Sequence, residues 1–199
     1  SFHIFDEVMV FNNHMGYTQE SVIVAIMDDF FLFTHNDCFF FGFGVALQSQ
    51  VNACALNGGY GEELWISDGT ASGTHILKDI NPGYTNTSVG SSLAYAANGS
   101  SPHGFTVLNH EVFFYADDGN HGLELWKTDG TYNGTQMVLD IYPGYYGNGD
   151  PIPSFASEDM FSFQNEIYFT ANDGTHGIEL WSSDGTAANT AMIIDYNPG

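Results

Sequence analysis

Glu124-Leu125-Trp126-Lys127-Thr128-Asp129-Gly130-Thr131, continuing through Gly134-Thr135 to Asp140-Ile141-Tyr142-Pro143-Gly144, is the middle copy of a passage that the chain carries three times. The first copy runs from Glu63-Leu64-Trp65 through Asp68-Gly69-Thr70 and Gly73-Thr74 to Asp79-Ile80-Asn81-Pro82-Gly83. The third runs from Glu179-Leu180-Trp181 through Asp184-Gly185-Thr186 and Asn189-Thr190 to Asp195-Tyr196-Asn197-Pro198-Gly199. The copies align from the Glu to the last Gly without a gap, and the chain's 3 Trp residues hold the same place in each. Recurrence at roughly 50–60 residues marks a repeat architecture, in which one supersecondary unit cannot bury its own apolar surface.

Around this passage each unit reads as strands and tight turns. In the middle unit, residues 112–116 predict a strand, 117–122 a turn, 123–128 a second strand and 136–141 a third. A fourth strand is expected to precede, near 105–108 here and 160–163 in the next unit. The third unit follows the same plan at 167–171, 172–177, 178–183 and 191–195. In the first, Val51, Ala55 and Gly58 keep register, but Ala53 and Cys54 stand where the middle unit has Phe114 and Tyr115. Asp-Gly pairs supply the positive φ and the local hydrogen bonds that tight turns need, and Pro-Gly ends each copy.

Adjacent residues on a strand point to opposite faces. Leu125-Trp126, Phe113-Phe114 and Ile193-Ile194 are apolar neighbours, so both faces of each small sheet require cover. A sandwich with one wet face would alternate instead. The expected fold is all-β: a β-propeller-type array of four-stranded antiparallel blades, with a β-solenoid as the runner-up. The divisions read as 49–104, 105–159 and 160–199 for the three repeats, after a divergent β segment at 1–48. That segment predicts strands at 4–11, 21–25, 30–34 and 39–43 and a turn at 12–16. It reads either as a degenerate blade or as an edge-covering arm, and its Phe39-Phe40-Phe41-Gly42-Phe43 run demands burial.

Charge excludes several partners. With 24 Asp+Glu against 2 Lys+Arg the net charge is -22, and Lys78 and Lys127 are the only fixed cations. Nucleic acid, which needs clustered Lys/Arg, is ruled out as a partner, and anionic membrane surfaces are disfavoured. No stretch is apolar for long enough to insert as a spanning helix. Such acidity fits solubility in a salty medium or cation binding. The chain opens at Ser1 and reads as mature or excised, so the lack of a leader is uninformative. Sequons at Asn86, Asn98 and Asn133 fall in Gly/Ser/Asn-rich stretches that read as surface loops. Cys38 and Cys54 lack metal-site spacing and any redox motif. Outside the cell they would pair, tying 1–48 to the first repeat; the alternative is two buried thiols.

The passage Glu-Leu-Trp-x-x-Asp-Gly-Thr-x-x-Gly-Thr followed by Asp-Ile-x-Pro-Gly resembles the ELWxxDGT repeat family over residues 49–199. The resemblance implies a large secreted or surface protein of propeller-like build, and it brings no catalytic residue to transfer. Asn189 in place of Gly, and Tyr196 in place of Ile, depart from the pattern.

Residues repeated in every unit are candidates for fixing the unit: Trp65, Trp126 and Trp181, Asp68, Asp129 and Asp184, and Glu63, Glu124 and Glu179. A glycosidase uses its carboxylate pair once, so the recurrence argues against catalysis and the chain reads as no enzyme. Asp117 and Asp118, with Asn172 and Asp173, place oxygen atoms on tight turns and are the candidate Ca²⁺ ligands, against plain turn chemistry. His121 and His176 hold equivalent places one unit apart, too far for a shared ion, and with His75 and His110 they show no transition-metal spacing. No cofactor is required on this reading beyond such Ca²⁺. The expected function is a non-enzymatic extracellular or cell-surface structural protein. It would be a subunit of a filament or coat of copies of itself, with residues 1–48 completing a neighbour's blade. The alternative is a secreted binding module for glycans or a surface partner.

Overall fold

The computed structural model describes residues 8–11, 22–27, 30–35, 60–68, 70, 72–86 and 95–196. Their regular structure is all β, apart from one 3-10 turn at Ala187–Asn189. The first sheet has five strands in meander order: β1 (Val8–Phe11), β2 (Val22–Met27), β3 (Phe30–His35), β4 (Glu63–Ser67) and β5 (His75–Lys78). A two-stranded ribbon follows, β6 (Tyr84–Asn86) with β7 (Tyr95–Ala97). The second sheet holds β8 (His103–Leu108), β9 (Glu111–Asp117), β10 (Leu123–Thr128) and β11 (Gln136–Leu139). The third holds β12 (Phe155–Phe163), β13 (Glu166–Asn172), β14 (Ile178–Ser183) and β15 (Ala191–Ile194). All pairings are antiparallel. The fourth strand expected ahead of each later unit is present as β8 and as the end of β12.

The repeat extends to hydrogen-bond register. Trp126 faces Phe114, Trp181 faces Phe169 and Trp65 faces Phe33 across their strand pairs. In all three sheets the pairing of the Glu-Leu-Trp strand with the next strand slips between the Leu and the Trp. The extra residue of each bulge is Leu77, Val138 or Ile193, set apart from the ladder by the two-against-one count. Hairpins β8–β9 and β12–β13 turn on Asn109-His110 and Gln164-Asn165, all four at positive φ (52°, 62°, 47° and 67°). That is the backbone a two-residue hairpin of matching twist requires.

The first unit corrects the sequence reading. Its Glu-Leu-Trp strand pairs with β3, in the register that β10 uses on β9, so residues 30–35 occupy the place expected for residues near 51–55. β3 in turn pairs with β2. The described strands within residues 1–48, β1 to β3, thus lie in one sheet with β4 and β5 of their own chain, on both sides of the boundary expected at 49. This pairing within one chain is the arrangement that the first of the two readings of residues 1–48 expects, as part of a unit and not as an arm. The misreading has a simple cause: residues 36–62 connect β3 to β4, where 118–122 and 173–177 connect the corresponding strands of the other units. So long a sequence separation hides the strand on its far side from a fixed-period alignment. Cys38, Cys54 and the Phe39–43 run lie outside the described residues.

The sheets stack face to face. One core joins Leu64, Ile66, Leu77 and Ile80 of the first unit to Phe105, Val112, Phe114, Ala116 and Trp126 of the second. Another joins Leu108, Phe113, Tyr115, Leu125, Val138 and Ile141 of the second to Ile167, Phe169, Ala171 and Trp181 of the third. The Leu-bearing face of one unit therefore meets the Trp-bearing face of the next, twice. Five consecutive residues of β9, Val112 to Ala116, are 0% exposed, as a strand covered on both faces must be. Phe114→Ala should cost about 3–5 kcal/mol, the usual range for a fully buried aromatic. Ile178→Ala, on an exposed part of β14, should stay within about 0.5 kcal/mol in dilute solution. Urea unfolding of both variants measures the contrast.

Candidate functional site: the joint between units

The repeated glutamates sit at the joints. Glu63 and Glu124 are fully buried and Glu179 nearly so. Glu63 lies at the start of β4 and accepts from Ile80 N (2.9 Å) and Asn81 N (3.2 Å), which closes the end of its own unit. It also accepts from Ser100 N (3.0 Å) and Ser100 Oγ (2.5 Å) in the segment leading to the next unit. Glu124 repeats the arrangement with Ile141 N (3.1 Å) and Ser154 Oγ (2.6 Å). Glu179 accepts from Tyr196 N (3.0 Å), and among the described residues no serine reaches it.

The serine is a rivet with three contacts. Ser100 donates its N–H to Glu62 O (2.9 Å), and its carbonyl accepts from Asp117 N (2.9 Å) at the end of β9. Ser154 does the same between Leu123 O (3.2 Å) and Asn172 N (2.7 Å). One residue thus bonds the backbones of two successive sheets and the buried carboxylate between them. This satisfies polar groups that stacking removes from water. The sequence reading missed both serines. Gly99-Ser100-Ser101 and Pro153-Ser154-Phe155 share no pattern beyond the Ser before a strand.

Burial drives the electrostatics. Desolvation pushes Glu63 up to about 7 and Glu124 up to about 8, although the Ser100 and Ser154 hydroxyls pull the other way. The charge of Asp79 or Asp140 nearby adds to the rise. Asp79, Asp140 and Asp195 hold one place in the repeat, and each leaves its Oδ1 buried without a hydrogen-bond partner among the described residues. Lys78 also crosses the first joint: its Nζ donates to Thr135 O (2.5 Å) and stands 4.9 Å from the Tyr132 ring centroid. Lys127 pairs with Glu111 at 2.9 Å within its own sheet.

The Asp-Gly-Thr turn is built identically each time. Asp68, Asp129 and Asp184 accept from the N–H of the following Thr70, Thr131 and Thr186 at 2.8–2.9 Å and from its hydroxyl at 2.7 Å. Thr74, Thr135 and Thr190 close the turn by donating back to the carbonyl of that threonine. These hydrogen bonds hold the Asp carboxyls below their ordinary range. A Cβ on Gly73 or Gly134 would overlap the Asp68 or Asp129 carboxylate, which is why those positions are glycine. The third copy solves the same contact differently, with Asn189 Nδ2 donating to Asp184 Oδ2 (2.7 Å).

The four proposed Ca²⁺ ligands lie on two separate turns. Asp118 Oδ1 accepts from Asn120 N and His121 N (both 2.9 Å), and its Oδ2 meets His121 Nδ1 at 2.8 Å. Asp173 does the same with Thr175 N, His176 N and His176 Nδ1 at 2.9, 2.9 and 2.7 Å. Asp117 and Asn172 cap Gly119 N and Gly174 N at 2.7 and 2.8 Å. The side chains are turned onto their own backbone, and no group of three metal-ligating side chains occurs among the described residues. The Asp118 hydrogen bond holds the His121 imidazole above its usual range, and Asp173 does so for His176. The Asp-x-x-His-Gly spacing of both turns was the overlooked signal. Asn133 is exposed in its turn. Asn98 is half-buried, its Oδ1 accepting from Thr85 Oγ1 at 2.6 Å. Asn86 ends β6. His75 and His110 are exposed.

Two outcomes follow from the buried carboxyls and the turns. A carboxyl whose folded pKa lies above its unfolded value of about 4.3 stabilises fully below that pH. The contribution declines as pH rises and is gone above about 8, where Glu124 ionises in the folded state. The melting temperature should therefore fall between about pH 5 and 8 and level off above, and Glu124→Gln should flatten that decline. At the turn, Gly134→Val should expel the Asp129 carboxylate from its hydrogen bonds and cost roughly 1–3 kcal/mol. Gly134→Asn, copying Asn189, should cost less; calorimetry at fixed pH compares the two.

No family model matches the chain, and no curated protein or solved structure matches it significantly.

Proposed function

We propose that this chain is a non-enzymatic structural protein of the cell exterior, an array of propeller-type blades that assembles with copies of itself into a filament or coat. The single observation that carries this reading is the twice-repeated joint, Leu face on Trp face, with its buried glutamates committed to backbone and serine hydrogen bonds. Carboxylates bonded to the backbone in the same way in successive units hold geometry, which favours the structural reading over hydrolysis. Four-stranded antiparallel meanders packed on both faces are how propeller blades bury themselves. The resemblance to the ELWxxDGT repeats supports the same architecture and an extracellular location. So do the sequons, with Asn133 exposed in its turn.

A second reading, a glycan-binding module with or without Ca²⁺, draws on one feature. A shallow polar recess of about 390 Å³, lined by Asn81, Thr85, Ala97, Asn98, Gly99 and Gly119, opens where the first two units meet. Sizing of the native material by light scattering separates the two. Species many times the 21.8 kDa chain mass support the structural reading. A monomer retained on immobilised glycans supports the binding module. Deglycosylation of the same material should lower its mass by one N-linked glycan at Asn133.

A further inference from the structure

The rims of the two joints share one backbone plan and differ in chemistry. At the first joint Asn98 N donates to Gly83 O (3.0 Å), and at the second Ile152 N donates to Gly144 O (3.1 Å). The ribbon pair Tyr84 and Ala97 is matched by the bridge between Tyr145 and Pro151. Asn81 and Tyr142, at one place in the repeat, each reach the turn glycine of the next unit. A Cβ on Gly119 would lie 2.7 Å from Asn81 Oδ1, and one on Gly174 would lie 2.5 Å from Tyr142 Cε2. In the same way Asn98 Nδ2 stands over Gly83 where Ile152 Cδ1 stands over Gly144, at 3.3 and 3.6 Å from a Cβ at those glycines. Two amides of the first rim thus hold the places of an aromatic ring and an aliphatic chain in the second.

The recess of about 390 Å³ opens on the amide side, at the first joint. Its polar groups are fixed from within the protein. Thr85 Oγ1 donates to Asn98 Oδ1 (2.6 Å), which leaves the Asn98 Nδ2 hydrogens as donors. Asn81 Nδ2 donates to Gly99 O (3.2 Å), which leaves Asn81 Oδ1 as an acceptor on the Gly119 side. Thr85 Oγ1 keeps its own acceptor capacity. None of the lining residues is ionisable, in a chain of net charge -22. An anionic ligand would meet no cation in the lining and the repulsion of the whole chain, and a cationic ligand would find no carboxylate there. Hydroxyl groups, which donate and accept at once, match a lining of amides and one threonine.

We propose that this recess binds one uncharged sugar ring, whose neighbouring hydroxyls are shared among Asn98 Nδ2, Thr85 Oγ1 and Asn81 Oδ1. This rests on the glycan-binding reading and deepens it by naming the charge, the size and the contacting atoms, and it is independent of whether copies of the chain assemble. The volume lies near the low end of the range for small-molecule sites, about 300–1,000 Å³, which suits a single ring. The site is preorganised, because each amide is oriented by a hydrogen bond made without the ligand. The second joint offers no such site, since Tyr142 and Ile152 place carbon where the first has amides.

The test is saturation-transfer-difference NMR on the full 199-residue chain. The uncharged probes are methyl α-D-mannopyranoside, methyl β-D-galactopyranoside and methyl N-acetyl-β-D-glucosaminide, and the charged probes are glucuronate and glucosamine. The unmodified chain is compared with Asn81→Tyr and Asn98→Ile, which copy the second joint, and with Tyr145→Ala as a control on an exposed loop. At least one uncharged probe should bind the unmodified chain with a Kd on the order of 1 mM, and the charged probes about 10-fold more weakly or worse. Asn81→Tyr and Asn98→Ile should each weaken binding about 10-fold or more with unchanged circular dichroism, and Tyr145→Ala should bind as the unmodified chain does. Either rim variant, folded by circular dichroism and binding as well as the parent, overturns the recess and leaves the glycan-binding reading standing. A charged probe bound in preference to all the uncharged ones overturns the ligand class. No transfer to any probe, with the unmodified chain still retained on immobilised glycans, overturns the single-ring site alone. No transfer and no retention overturns both the site and the reading beneath it.

Discussion

Each of the three repeat-bearing sheets carries apolar residues on both faces of its Glu-Leu-Trp strand, and that constraint governs the rest. A four-stranded sheet with Leu125 on one side and Trp126 on the other has no stable existence alone in water. It gains its stability only when neighbours cover both sides, and the second sheet reaches that condition, with a strand of five residues wholly removed from solvent. The bulge between Leu and Trp recurs in each sheet, adding Leu77 or Val138 to the Leu face of the joint. Stacking is thus the condition under which each unit folds.

Stacking has a polar cost that the repeated acids offset. Where one unit hands the chain to the next, backbone groups leave water, and Glu63 and Glu124 supply acceptors while Ser100 and Ser154 supply donors. Desolvation raises both carboxyls. The joint is therefore held best where these groups keep their protons, and an alkaline medium loads it with buried charge. At the surface the aspartates work the other way. Asp68, Asp129 and Asp184 stay ionised, each organising a turn through two bonds to one threonine. One acidic composition thus contains two populations: buried carboxyls that bind units together and exposed ones that shape turns and keep the chain in solution.

Much was legible from residues alone. Apolar neighbours along a strand have to face opposite ways, so Leu125-Trp126 required an all-β unit covered on both sides. The Asp-Gly-Thr recurrence marked turns, because an Asp two residues before a Thr bonds its backbone wherever it occurs. These are short-range consequences of chain geometry and need no knowledge of the fold. Three matters were settled only in three dimensions. β3 took the place expected for residues near 51, because strand pairing depends on which edges meet, while the sequence alignment depends on spacing that the 36–62 connection disrupts. The direction of the Asp118 and Asp173 carboxylates, toward neighbouring N–H groups and histidines, is likewise a tertiary detail that an oxygen-rich turn sequence does not carry. The serines that rivet the units carry no motif, because their role comes from lying between two sheets that only packing brings together.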